Sequence, residues 1–187
     1  MNWFHRQVCG SERWGSRLER ELLPWALEGV HLGDDVLEIG PGPGATTDLL
    51  RGRTLRLTAL EVEATAAAAL QKRLEGSGVR VIHGDGAAMP FEPCSFSGVV
   101  SFTMLHHVPT AALQDCLMAE ARRVLRPGGV FAGFDGVGSF LFRLIHLGDT
   151  YTPVNPGTLG RRLQAAGFTD VAVERTRTRF RFRAVQG

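Results

Sequence analysis

The chain has 187 residues, 44% of them hydrophobic and 21% charged, with a formal net charge of +2. That length suits one domain able to bury most of its apolar surface, and the composition excludes a disordered chain. The charge is too small to imply nucleic acid by itself, and no stretch has the apolar length needed to span a bilayer.

Residues Trp3 to Leu27 read as helical, with Leu18, Leu22 and Leu23 at helical spacing and Pro24 expected to kink or restart the helix. The opening Met-Asn-Trp-Phe-His-Arg lacks the uninterrupted apolar core of a signal peptide. Cys9, Cys94 and Cys116 are scattered without ligand spacing. They read as reduced thiols rather than a disulfide framework or a metal site, and cytoplasm is the expected location.

A repeated grammar follows. Asp35 to Ile39 is a short apolar strand running into a glycine-rich turn, and Thr46 to Arg51 starts a helix. Leu55 to Glu61 and Val79 to His83 are predicted strands, separated by an Ala-rich helix over Glu63 to Leu74. Ser97 to Phe102 is the fourth strand, Ala111 to Leu125 a helix closed by Arg126-Pro-Gly-Gly129, and Val130 to Phe134 the fifth strand. Strands alternating with helices, each strand a near-continuous apolar run, predict a parallel sheet covered on both faces.

Beyond Asp135 the rhythm loosens into a short amphipathic segment, Ser139 to Leu147, and a loop at Gly148 to Val154. Asn155-Pro156 predicts an N-cap with proline at the first helical position, and Gly167 a C-cap. Thr169 to Val185 reads as an antiparallel hairpin. Its arginines, Arg175, Arg177, Arg179, Arg181 and Arg183, alternate with other residues. Period two places Phe180 and Phe182 on one face and the arginines on the other, in water.

The chemistry-bearing signal is Glu38-Ile-Gly40-Pro-Gly42-Pro-Gly44, between a predicted strand and a predicted helix. Glycine there lets the backbone turn and approach a ligand closely, Gly42 closest of all. Dinucleotide-binding proteins use a related loop, so the loop alone does not decide the ligand. Glu61 ends the next strand about 20 residues later, where a carboxylate accepts both hydroxyls of a ribose. Gly84-Asp85-Gly86 then follows the third strand, where a carboxylate can accept the exocyclic amine of adenine.

Taken in order, VLEIGPGPG, LEVE, GDGAAMPF, FSGVVSFTMLHHV and RVLRPGG resemble the class I S-adenosylmethionine-dependent methyltransferase family. The closest branch is the small-molecule type that includes ubiquinone and menaquinone biosynthesis enzymes. The resemblance covers Asp34 to Phe134 closely and the final helix and hairpin loosely. It implies an α/β, Rossmann-like doubly wound sheet, mostly parallel with an antiparallel C-terminal hairpin. A single domain would span residues 1–187, with a helical cap over 1–27 and the core over 34–187.

The resemblance also implies roles residue by residue. Gly40, Pro41 and Gly42 would line the methionine and ribose portion of S-adenosylmethionine, with Glu38 holding its amino group directly or through water. Glu61 would take the ribose hydroxyls, with Val62 against the adenine ring. Asp85 would take the adenine amine, with Gly86 and Ala87 packed beside it. Ser101 and Phe102 would contact the methionine end. The product would be S-adenosylhomocysteine. Glu38 and Asp85 also have a plainer reading as a helix cap and a solvated strand end.

His106 and His107 are the candidate bases, since an ordinary histidine titrates near neutrality. They can equally shape the pocket, and His5 and His146 are weaker candidates. Trp3, Phe4 and Trp14 either cover the cofactor and wall the acceptor site or pack on the sheet. The connections around the fifth strand are short. Either the acceptor is a small molecule, or a second subunit, as in a homodimer, completes the pocket. The hairpin is expected to bind no nucleic acid. The rival class is a non-catalytic S-adenosylmethionine-binding partner subunit. A nicotinamide-dependent oxidoreductase is disfavoured because Asp85 and Arg126-Pro-Gly-Gly129 would then lack a role.

Overall fold

The structure, a computed structural model, describes residues 11–138 and 148–187. Trp3, Phe4, His5, Cys9, His146 and the segment Ser139 to Leu147 lie outside the described residues. The first helix, α1 (Glu12–Arg17), begins at Ser11, whose hydroxyl accepts the Trp14 N–H at 3.3 Å. Leu18–Leu22 then widens into a π-helical turn in which the Leu23 N–H reaches the Leu18 carbonyl. Helix α2 (Leu23–Ala26) follows, with Pro24 in its first turn. A proline ring clashes with the carbonyl four residues back and offers no N–H, so a wider preceding turn relieves both faults. The predicted restart therefore falls one turn ahead of the proline.

Among the described residues seven strands form one sheet, in the order β3-β2-β1-β4-β5-β7-β6. They are β1 (Asp35–Ile39), β2 (Arg56–Glu61), β3 (Arg80–His83), β4 (Phe96–Phe102), β5 (Leu125–Gly136), β6 (Phe168–Arg175) and β7 (Arg179–Gln186). Strands β1 to β5 pair in parallel, and β7 pairs antiparallel with both β5 and β6. Helices α3 (Ala45–Leu50), α4 (Ala64–Arg73), α5 (Ala111–Val124) and α6 (Pro156–Ala165) supply the connections.

Both faces of the sheet are packed, as the apolar runs require. Leu117, Met118 and Ala121 of α5 and Leu159 and Leu163 of α6 cover Leu37, Val99, Phe131 and Phe182. The opposite face buries Val36, Val100, Phe102 and Phe134 under Leu18, Leu22, Leu23 and Leu50. Asn155 caps α6 by accepting the Gly157 N–H at 2.9 Å, and Gly167 closes it at φ 92°.

Two expectations need correction. The Arg126-Pro-Gly-Gly129 stretch does more than close α5, because β5 already starts at Leu125, paired with Phe96. The register shifts before Gly98 pairs Val130, so the stretch bulges out within the strand. The arginine face of the hairpin is also not simply in water. Arg181 is only 17% exposed, stands 5.6 Å over the Trp25 ring, and pairs with Glu28 and Glu174 at 2.9 and 2.7 Å. Arg183 pairs with Asp170 at 2.7 Å. The aromatic face is as expected, with Phe180, Phe182 and Ala184 buried.

Among the described residues no helix is long and apolar enough to cross a membrane.

Candidate active site

The chain runs from β1 outward through β2 and β3, then returns to lay β4 on the other side of β1. In open parallel sheets ligands bind outside the carboxyl ends of the strands at such a reversal. A cavity of about 650 Å³ opens there, within the usual range for small-molecule sites. It is lined by the glycine loop, the ends of β2 and β4, the turn after β3, and Trp14 and Leu18 from the N-terminal helices.

The loop has an unusual backbone. Gly40, Gly42 and Gly44 all have positive φ, at 65°, 54° and 86°. A Cβ on Gly40 would lie 2.2 Å from Met104 Cγ, so the segment just after β4 sits directly on the loop. Glu61 fixes the loop from the other side. Its Oε2 accepts the Gly42 N–H at 3.1 Å and its Oε1 accepts the Glu63 N–H at 3.1 Å. A carboxylate accepts about four hydrogen bonds, so two backbone donors leave capacity for two hydroxyls.

Glu38 lies beneath the loop rather than on the cavity wall. Strand alternation points Val36 and Glu38 to the α3 side, where Glu38 Oε2 accepts the Thr47 hydroxyl at 2.6 Å and Oε1 accepts that of Thr46. Burial pushes its carboxyl up to about 7, the two threonine hydroxyls opposing the shift and the nearby Asp48 and Glu61 charges adding to it.

Asp85 lines the cavity, and its Oδ1 accepts the Ala87 N–H at 2.8 Å in a tight local turn. A Cβ on Gly86 would come within 2.9 Å of Leu117 and 3.1 Å of Ile39, so the turn is packed on the core. Val62 is 63% exposed, an apolar side chain presented at the rim. Phe102 reaches the wall, whereas Ser101 is buried away from it.

The two histidines separate. His106 is 1% exposed and its Nδ1 lies 2.6 Å from Asp135 Oδ1, behind the wall. His107 lines the cavity, and its Nδ1 lies 3.3 Å from the Thr150 carbonyl, which can only accept. Thus Gly40, Pro41, Gly42, Glu61, Val62, Asp85, Gly86, Ala87, Phe102 and His107 share one wall, and Glu38, Ser101 and His106 stand behind it. Met104, Leu113, Asp149 and Thr150 also line the cavity. Leu113 follows the helical period of α5. Asp149 and Thr150 come from a loop with no periodicity to announce them.

Among the described residues no group of three or more His, Cys, Asp or Glu side chains is arranged to hold a metal ion.

The methyltransferase domain family matches residues 37–133. A "Probable S-adenosylmethionine-dependent methyltransferase" of Mycolicibacterium smegmatis is 33% identical over 139 residues, 74% of this chain and 50% of that protein. An rRNA adenine N-6-methyltransferase of Corynebacterium diphtheriae is 35% identical over 46% of this chain and 33% of its own length. A fatty-acid O-methyltransferase of Mycolicibacterium smegmatis is 32% identical over 53% of this chain and 36% of its own. The chain spans half or less of the length of these relatives.

The fold matches the PH0226 protein of Pyrococcus horikoshii with a TM-score of 0.81 at 17% identity, covering 95% of this chain and 93% of that one. It also matches a phosphoethanolamine N-methyltransferase of Haemonchus contortus, solved with S-adenosyl-L-methionine, at TM-score 0.74 and 18% identity over 92% of this chain and 52% of that one. The chain belongs to the class I S-adenosylmethionine-dependent methyltransferases, and S-adenosylmethionine is the cofactor of that family.

The residues present fit that cofactor. The loop holds three glycines where a side chain would need positive φ, and Glu61 keeps acceptor capacity at the wall. Replacing Glu61 with Ala should therefore weaken S-adenosylhomocysteine binding by about 1.5–3 kcal/mol, the scale of a hydrogen bond to a charged group. Isothermal calorimetry on a variant with unaltered circular dichroism checks this, and unchanged affinity would remove Glu61 from the site.

Proposed function

We propose that the chain transfers the methyl group of S-adenosylmethionine to a small-molecule acceptor. The observation that carries the choice of acceptor is the charge of the wall. Beside Glu61 and Asp85, the two carboxylates assigned to the cofactor, the wall carries Glu63 and Asp149, against one arginine, Arg73, already engaged by Asp48 at 2.7 Å and the Gly44 carbonyl at 3.2 Å. Proteins that hold nucleic acid do so through lysine and arginine on phosphates, which this wall does not offer among the described residues. Trp14, Leu18, Phe102, Met104, Val108 and Leu113 supply an apolar part of the lining beside the polar Thr103, His107 and Thr150.

In this reading Gly40, Pro41 and Gly42 cradle the methionine and ribose, Glu61 takes the ribose hydroxyls, and Val62, Asp85, Gly86 and Ala87 hold the adenine. Glu38 acts from below by fixing the loop. When bound, S-adenosylmethionine supplies a methyl group already activated on a sulfonium, so the protein's part is alignment and exclusion of water. Gly40, Pro41, Gly42 and Glu61 would hold the cofactor so that an acceptor's lone pair could take its methyl group in line, with S-adenosylhomocysteine as the product. A proton released by the acceptor passes to His107, the histidine at the wall.

Some relatives are named for ribosomal RNA and others for small molecules, so the test sets the two against each other. The protein is incubated with methyl-labelled S-adenosylmethionine and, separately, oleate, a benzohydroquinone and total ribosomal RNA. Label is expected in a small molecule. RNA is expected to stay unlabelled and to bind weakly, without an affinity that falls steeply with salt. Labelled RNA with steep salt dependence would overturn the proposal.

A further inference from the structure

Asp135 is fully buried near the C-terminal end of β5. Its Oδ1 accepts the His106 Nδ1–H at 2.6 Å and the Gly136 N–H at 2.6 Å, while Oδ2 accepts the His106 backbone N–H at 3.2 Å. Burying a carboxylate this deeply costs several kcal/mol unless it is paired and hydrogen-bonded. Among the described residues no arginine or lysine reaches it, and the His106 imidazole is its one partner able to carry positive charge.

The turn that holds His106, Leu105–His107, is fastened from the other side as well. Gln114 is buried, and its Nε2 donates to the Leu105 carbonyl at 3.0 Å and the Thr152 carbonyl at 2.9 Å. Its Oε1 accepts from Arg162 at 3.0 Å, and the Thr152 N–H donates to the His106 carbonyl at 2.7 Å. The rings of His106 and His107 lie 4.2 Å apart at 40°. Apolar residues of the same volume often give equal or greater stability than a buried ion pair. Instead a carboxylate, an imidazole and an amide converge on one turn whose last residue faces the cavity.

We infer that Asp135 is a positioning residue of the acceptor site: through His106 it fixes the turn Leu105–His107 and orients the His107 ring at the cavity wall. The effect on turnover rests on the methyl-transfer reading above, whereas the effect on the rings does not. Replacing the carboxylate with the nearly isosteric amide breaks the match. With its NH2 at the Oδ2 position the amide meets the His106 backbone N–H; turned round, it meets both the His106 Nδ1–H and the Gly136 N–H. In either orientation it opposes a donor of the turn that the carboxylate accepted, so the turn shifts.

The test uses the full chain saturated with S-adenosylhomocysteine. Nitrogen-15 spectra of its histidines are recorded for the wild type and for Asp135→Asn. In the wild type His106 Nδ1 is expected to carry a proton. In the variant the His106 and His107 signals move, while affinity for S-adenosylhomocysteine is unchanged. With whichever acceptor above turns over, kcat is expected to fall about 10- to 100-fold at constant KM for S-adenosylmethionine, by analogy with the loss of an outer partner that orients a metal-bound histidine.

A folded Asp135→Asn protein with unmoved His107 signals and unchanged kcat would overturn the inference. If that variant does not fold, His106→Asn, which keeps a donor for Asp135, is read the same way, and unchanged turnover would again overturn it. An inert wild type that still shows the ring shifts counts against the proposed function and leaves the positioning role standing.

Discussion

Replacing Glu38 with Gln should stabilise the protein at pH 8.5 and flatten its stability between pH 4.5 and pH 7. Glu38 is 1% exposed, and burial raises its carboxyl to about 7. The sign follows from linkage. A group whose folded value lies above its unfolded value contributes stability that is present below the unfolded value and is lost as pH rises through the folded one. From 4.5 to about 7 that loss is on the order of 3 kcal/mol. Glutamine never ionises, so it escapes the loss. It can accept one threonine hydroxyl and donate to the other, and the amide N–H left over offsets about 1 kcal/mol. The net gain above pH 8 is about 2 kcal/mol, measured as a rise in urea midpoint at pH 8.5 without a matching rise at pH 4. A variant weaker at both pH values would show that the carboxylate, not the acid, is the form the loop requires.

Strand alternation is what places Glu38 under the loop, yet the run Val36-Leu-Glu-Ile39 hides it, because a strand covered on both faces carries no polar alternation to read. The same property made the five parallel strands easy to locate. Each is an apolar run bounded by turn residues, and the observed limits differ from the predicted ones mostly by a residue or two. Lost were the features set by distant partners. The start of β5 at Leu125 depends on Phe96, and the place of β7 between β5 and β6 depends on pairing across the sheet. The acidic partners of the arginine face, Glu28 and Asp170, are likewise fixed only by the fold.

The site divides along the same line. The glycine loop, Glu61 and Asp85 are local signals at strand ends, and the fold brings them to one cavity. The separation of His106 from His107 is not local. The two rings lie 4.2 Å apart, and the partner that holds the buried one, Asp135, comes 29 residues onward. Gln114 gives no sequence sign either, since a single glutamine on a helix reads as a solvated residue until Leu105 and Thr152 close over it.

Gly42→Val should abolish cofactor binding while leaving the fold in place. Gly42 has φ 54°, lines the cavity, and donates its N–H to Glu61 at 3.1 Å. An L residue in that region costs roughly 1–2 kcal/mol, and a β-branched one is a true outlier there. The loop relieves such strain by rotating back to negative φ. Rotation turns the Gly42 N–H off Glu61, and with it goes the geometry that leaves the carboxylate free to receive two hydroxyls. The branched side chain also occupies the wall where the backbone must come closest to its ligand. Loss of the cradle and loss of the ribose acceptor then act together, so affinity for S-adenosylhomocysteine is expected to fall by more than about 100-fold, or 2.8 kcal/mol. The cost to folding is smaller, because the loop lies at the strand ends and the core beneath it, Leu37, Val99 and Phe131, is untouched. Equilibrium dialysis with labelled S-adenosylhomocysteine and a thermal melt separate the two effects. Normal binding by a folded Gly42→Val protein would mean that this loop is not the cofactor cradle. Gly42→Ala, which adds only the backbone strain, should lie between the variant and the wild type.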